Sequence, residues 1–246
     1  MKKFLKVAAV IAGMVGAQAH AASLIDDFTA AQFSYDGTTN ATGEWGAGQV
    51  CSGSIALGGC REIFAFKAGA LGDDPDAGVT GRVINGTPPR FTFSEDDGQN
   101  GYALLRYDGA AVTGTLTPSF GTSLLSLFDL PSQIDFQYRS DANFQIGITL
   151  WDTNGMTVSI VENALDTRVA NVPQFVNGFI DLTSVALPAG FDPFNIGAVE
   201  IKFNLTGVTA VDLSFTAPSQ QIPEPASIAL AGLALLGLGA ARLRKQ

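Results

Sequence analysis

Alternation with a period of two constrains this chain more than any other feature. Ile134, Phe136 and Tyr138 alternate with polar residues, as do Phe144, Ile146, Ile148 and Leu150, and then Met156, Val158 and Ile160. Successive side chains of an extended strand point to opposite faces, so each run presents one apolar and one polar face. Asp152-Thr153-Asn154-Gly155 separates the second run from the third with turn-forming residues, and the two read as a β-hairpin. Val199, Ile201, Phe203 and Leu205 form a later run, Thr206-Gly207 turns the chain, and Val211, Leu213 and Phe215 follow. Less regular runs lie at Ile63 to Lys67, Val79 to Ile84, Phe91 and Phe93, Ala103 to Tyr107, and Val112 to Leu116. Together they predict about ten to twelve strands. Only Ser123 to Leu130 reads as a short helix, and no repeat of roughly 20 to 50 residues is present.

Strands that are apolar on one face must cover one another, so residues 22–217 are expected to form an all-β, two-sheet antiparallel β-sandwich. A jelly roll fits the strand count. The composition agrees: 46% of residues are hydrophobic and only 15% charged, which excludes a disordered chain, and 28 glycines and 11 prolines supply the turns.

Charge excludes several functions. Lys and Arg number 14 against 23 Asp and Glu, and six of the bases lie at the two ends of the chain. From Ala22 to Pro223 there are 8 basic and 22 acidic residues, a balance of −14. Nucleic acid is therefore not an expected partner, because neutralising phosphates needs clustered bases. The single histidine, His20, falls within the first 21 residues, which read as a removable leader, so the body keeps none for a Ser-His-Asp triad, a Cys-His pair or a histidine-rich metal site.

Both termini read as addresses. Lys2, Lys3 and Lys6 precede an apolar run from Val7 to Ala17, and small residues then alternate at Ala17, Ala19 and Ala21. This pattern predicts a signal peptide over residues 1–21. At the other end, a linker from residue 218 leads to Pro223, Glu224 and Pro225, then to an apolar stretch over residues 226–241 and the bases Arg242, Arg244 and Lys245. As a single hydrophobic helix the stretch reaches about 24 Å, short of a hydrocarbon core of about 30 Å. The closing bases keep the tail cytoplasmic and place the acidic body on the far side of the membrane.

Pro-Glu-Pro, a short Ala/Leu/Gly-rich helix and a basic tail resemble the PEP-CTERM sorting signal of Gram-negative bacteria. Ile222 stands where valine is expected before the triplet. The resemblance implies recognition by an exosortase, transient membrane anchoring, and delivery to the cell surface or extracellular matrix, with an association with exopolysaccharide or biofilm. A plain C-terminal anchor is the alternative reading of the same residues.

The body is similar to galactose-binding-like jelly rolls in its last third, where Gly178 to Leu182 precedes the closing pair of alternating runs. It is similar also to PEP-CTERM bodies that open with Asp-Asp-Phe, as Asp26-Asp27-Phe28 does, and carry Gly-Gly-x-Arg-Glu, as Gly58-Gly59-Cys60-Arg61-Glu62 does.

Cys51 and Cys60 bracket a glycine-rich stretch that can fold as a small hairpin, and an oxidising compartment would close a disulfide between them. Two acidic turns, Asp73, Asp74 and Asp76 and then Glu95, Asp96, Asp97 and Asn100, offer oxygen ligands of the kind calcium takes. Pro75 and Gly98 break the EF-hand spacing, and solvated turns are the competing reading. Asp152 and Asn154 read as turn residues. Trp45, in a glycine-rich segment, offers an indole face to a pyranose, and Tyr35, Tyr102 and Tyr107 can join it. For all four the competing role is core or sheet-edge packing, which is also the reading for Trp151. The sequence selects no catalytic residues and no cofactor beyond possible calcium. It points to a non-enzymatic surface or matrix protein, with a carbohydrate-binding module as the alternative and a carboxylate-dependent glycan hydrolase as the outsider.

Overall fold

The computed structural model describes residues 25–37, 43–46, 50–51, 57–68, 78–110, 115–130, 132–183 and 185–216. The segments expected to form the signal peptide (1–21) and the hydrophobic helix (226–241), together with the sorting triplet and the acidic turn at Asp73, Asp74 and Asp76, lie outside the described residues. Among the described residues, no helix is long and apolar enough to cross a membrane. All of them belong to one compact unit, Ser23–Gln220.

Fifteen strands form among the described residues: β1 (Gln32–Asp36), β2 (Glu44–Trp45), β3 (Val50–Cys51), β4 (Cys60–Lys67), β5 (Val79–Ile84), β6 (Arg90–Glu95), β7 (Gly101–Tyr107), β8 (Gln133–Ser140), β9 (Phe144–Asp152), β10 (Thr157–Ala164), β11 (Arg168–Val169), β12 (Val172–Pro173), β13 (Val176–Asp181), β14 (Ile196–Phe203) and β15 (Asp212–Thr216). Six pair in the order β1-β5-β6-β15-β8-β13, and seven in the order β10-β9-β14-β7-β4-β2 with β3 also on β4. All pairs are antiparallel, and β11 and β12 form a separate ribbon. The chain is a two-sheet β-sandwich.

The expected hairpin forms as β9 and β10, with Thr157 opposite Trp151. Its turn is held by Asp152, whose Oδ1 accepts the N–H groups of Asn154 and Met156 at 2.8 Å each. The closing runs behave differently: β14 and β15 follow one another in the chain yet lie in different sheets. Asn204, in the left-handed region at φ 62°, ends β14 before Leu205 and starts the crossing. The two strands then meet across the interior, where Phe203 and Phe215 pack edge to face with centroids 5.2 Å apart.

Two expected elements change. Ser123 to Leu130 supplies only a 3-10 turn at Leu127–Asp129, capped by Ser126, whose Oγ accepts from the Phe128 N–H. Of the strand expected at Val112 to Leu116, residues 112–114 lie outside the described residues, and Thr115 and Leu116 are not in a strand.

Cys51 and Cys60 face one another across β3 and β4 with Cα atoms 4.1 Å apart, and they are bonded. The secreted protein should therefore resist alkylation until reduced, as intact mass will show, and reduction should cost about 2 to 3 kcal/mol by chain entropy. Two thiols alkylated without reductant would refute the bond.

Candidate functional site

Strand parity divides the seven-stranded sheet into two faces. On β4 and β7, Ile63, Ala65, Ala103, Leu105 and Tyr107 enter the core. The residues between them, Glu62, Phe64, Phe66, Tyr102, Leu104 and Arg106, occupy the outer face. Registered pairing carries that face across the sheet: Trp45 lies opposite Phe64, Glu62 opposite Arg106, Arg106 opposite Glu200, and Trp151 opposite Ala198.

The centre of this face is a buried charge network. Arg106 donates from Nε to Glu200 Oε1 at 2.8 Å, approaches Glu62 Oε2 at 3.5 Å, and also donates to the carbonyls of Thr115 and Leu116. Its guanidinium lies 4.6 Å from the centroid of the Trp45 ring. Trp151 Nε1 donates to the other Glu200 oxygen at 3.1 Å, and the indole stacks on Phe120 at 5.8 Å. Glu62 Oε1 is enclosed without a partner. Burial, reinforced by the neighbouring Asp108 charge and only partly offset by Arg106, raises the Glu62 carboxyl to about 7.

Around that centre lie half-buried rings: Trp45, Phe66, Tyr102, Phe120 and Trp151. Phe66 and Tyr102 sit 5.0 Å apart, and the Lys202 ammonium lies 3.6 Å from the Tyr102 centroid. Burial draws the Lys202 pKa down against the opposing Glu200 charge. Rings of this kind can stack on the apolar face of a sugar while Glu200 and Lys202 hydrogen-bond its hydroxyls.

The structure separates the four aromatic residues proposed from sequence. Trp45 and Tyr102 share this face, although Trp45 stands on β2 and not on an open loop. Tyr35 is 39% exposed on β1, in the other sheet, and cannot join them. Tyr107 is a correction: it is fully buried, with its hydroxyl donating to Asp26 at 3.0 Å, and has no face to offer a ligand. Trp151, read as core or edge packing, belongs to the site. It alternates out of step with Ile146, Ile148 and Leu150, and that parity was the available signal.

The structure also divides the acidic turn at Glu95 to Asn100. Glu95 is buried and accepts from Asn204 Nδ2 and the Val211 N–H, while Asp96 Oδ2 accepts from the Gly78 N–H. With Glu95 turned inward, it leaves Asp97 and Asn100 behind. Among the described residues, no three acidic, cysteine or histidine side chains are grouped to hold a metal.

Residues 221–245 match the PEP-CTERM protein-sorting motif. The chain is therefore an exported protein that carries this signal and is anchored transiently in the membrane before processing, and the motif implies exosortase as the processing enzyme. No curated protein matches the sequence. Among solved structures the chain is similar to a family 29 carbohydrate-binding module mutant, at 8% identity over 71% of this chain and 89% of that one, with a TM-score of 0.33. A second is TmCBM61 in complex with β-1,4-galactotriose, at 9% identity over 64% and 84%, with a TM-score of 0.32. A family 30 carbohydrate-binding module shows 14% identity over 55% and 76%, with a TM-score of 0.35.

Proposed function

We propose that the exported sandwich is a non-enzymatic cell-surface or matrix protein that holds exopolysaccharide on the outer face of its seven-stranded sheet. The observation that carries this reading is the group of half-buried rings around Glu200 and Lys202, on an exported chain. The alternating strands build a rigid platform, parity sends the rings outward, and the charged centre fixes their orientation.

A glycan array on residues 22–221 tests the reading, with Tyr102→Ala and Trp151→Ala as companions. The expected result is retained glycan, weakened about tenfold by either substitution, which corresponds to about 1.4 kcal/mol. Turnover of a retained glycan would replace the reading with a hydrolase. No retention would leave a purely structural role.

A further inference from the structure

The outer face of the six-stranded sheet carries a different chemistry. Registered pairs align Phe33 with Arg82, Arg82 with Thr92, Thr92 with Ser214, and Ser214 with Arg139. The row ends where Arg139 lies 5.2 Å from the Phe175 ring centroid. A neighbouring row contributes Arg90 opposite Thr216, whose Oγ1 accepts from the Gln137 N–H at 2.9 Å. No carboxylate stands in either row. The flanking acids, Asp212 and Asp141 on one side and Asp135 on the other, bound the stripe.

The distribution of bases makes this stripe unusual for an acidic body. Of its eight bases, Arg61, Lys67 and Arg106 are buried, Arg168 pairs with Asp166, and Lys202 stands on the other sheet. The remaining three are Arg82, Arg90 and Arg139, all on these two rows. None forms an ion pair with a described residue. Arg139 is steadied by Ser214, whose Oγ accepts from its Nε at 3.2 Å. Phe33 is 50% exposed and Phe175 is 39% exposed, so an open ring closes each end. The five strand-to-strand steps between them span roughly 24 Å.

We infer that this stripe docks an acidic polysaccharide lying across the strands, with carboxylates on the arginines and sugar faces on the terminal phenylalanines. The charge balance of −14 repels a polyanion elsewhere on the body, so complementarity confines such a chain to the stripe. Three arginines do not suffice for duplex DNA, which carries a charge about every 1.7 Å and would meet the flanking acids. A carboxylated glycan is flatter and more sparsely charged. The site is separate from the aromatic face of the other sheet and does not depend on it.

The test is binding of the secreted protein to immobilised polygalacturonate, to the same polymer fully methyl-esterified, and to duplex DNA. Polygalacturonate should bind and weaken as salt rises. Arg82→Ala with Arg139→Ala should weaken it at least tenfold with an unchanged melting temperature, and Tyr102→Ala should leave it intact. Equal binding by the arginine variant, equal binding of the esterified polymer, or preference for DNA would each overturn the assignment. Loss on Tyr102→Ala alone would move polyanion binding to the other face and equally overturn it.

Discussion

Replacing Arg61 with alanine is expected to lower the unfolding free energy of the secreted protein by about 3 to 5 kcal/mol, because it strands a carboxylate in the core. Arg61 and Asp26 are both fully buried, joined from Nη1 to Oδ1 and Oδ2 at 3.0 and 2.8 Å. The remaining donors and acceptors are satisfied: Arg61 Nε donates to Gln32 at 3.1 Å, and Asp26 accepts from the Phe28 N–H and the Tyr107 hydroxyl. The cluster fastens the start of the sandwich to β4 and β7. A loss of this size is a large fraction of the roughly 5 to 15 kcal/mol typical of a domain. Arg61→Met combined with Asp26→Leu should recover part of it, since neither charge is left uncompensated, while the Phe28 N–H and the Tyr107 hydroxyl, which lose their acceptor, keep the recovery incomplete. Denaturant unfolding measures both. An Arg61→Ala midpoint equal to that of the parent would show that the pair is not buried as described.

This cluster also shows where sequence reading stopped. In the sequence, Asp26-Asp27-Phe28 and Gly58-Gly59-Cys60-Arg61-Glu62 carry a resemblance to PEP-CTERM bodies and nothing that links one to the other. The structure joins them through Asp26 and Arg61, 35 positions apart, a partnership that no local pattern encodes. Strands with apolar inner faces, such as β8, β9 and β10, were legible from parity. β1 was not, because its alternation is inverted: Gln32, Ser34 and Asp36 point inward while Phe33 and Tyr35 face solvent. The sheet to which a strand belongs was equally hidden. β14 and β15 present similar apolar faces, and only the left-handed turn at Asn204 reveals a corner between sheets.

The candidate sites were partly legible for the same reason. β7 carries a large ring on each face, Tyr102 beside Leu104 and Arg106 and Tyr107 beside Ala103 and Leu105, and with Arg106 as the only charge in the strand parity did not tell which ring was the inner one. The loop carbonyls of Thr115 and Leu116 and the facing charges had to cover Arg106 before the outer face could be recognised as a second layer. The arginine stripe needed the register of five strands, because Arg82, Arg90 and Arg139 are scattered in sequence and become neighbours only through the six-stranded order.

Stability should fall as pH rises from about 5 to 8, and Glu62 should account for much of the fall. Burial holds Glu62 and Glu95 at about 7, against an ordinary value of 4.5. Below pH 4.5 both groups are protonated in the folded and unfolded states, and their contribution is fully present. Between 4.5 and 7 the unfolded chain releases protons that the folded chain retains, so each step up in pH favours unfolding. Above 7 the contribution is lost. Each group is worth on the order of 2 kcal/mol after allowance for screening by solvent. Asp152 does not confuse the measurement: burial pushes its carboxyl up, but the N–H groups of Asp192, Met156 and Asn154 outweigh it and hold its pKa below 3.8, beneath this window. Glu62→Gln is the cleaner variant, because Glu62 Oε1 has no partner to lose, whereas the amide introduced by Glu95→Gln would confront the donors of Asn204 or Val211. Repulsion among the other acids acts alike on parent and variant. Melting temperature followed from about pH 5 to 8 should therefore decline less steeply for Glu62→Gln, and parallel profiles would mean that Glu62 titrates as an ordinary exposed carboxyl.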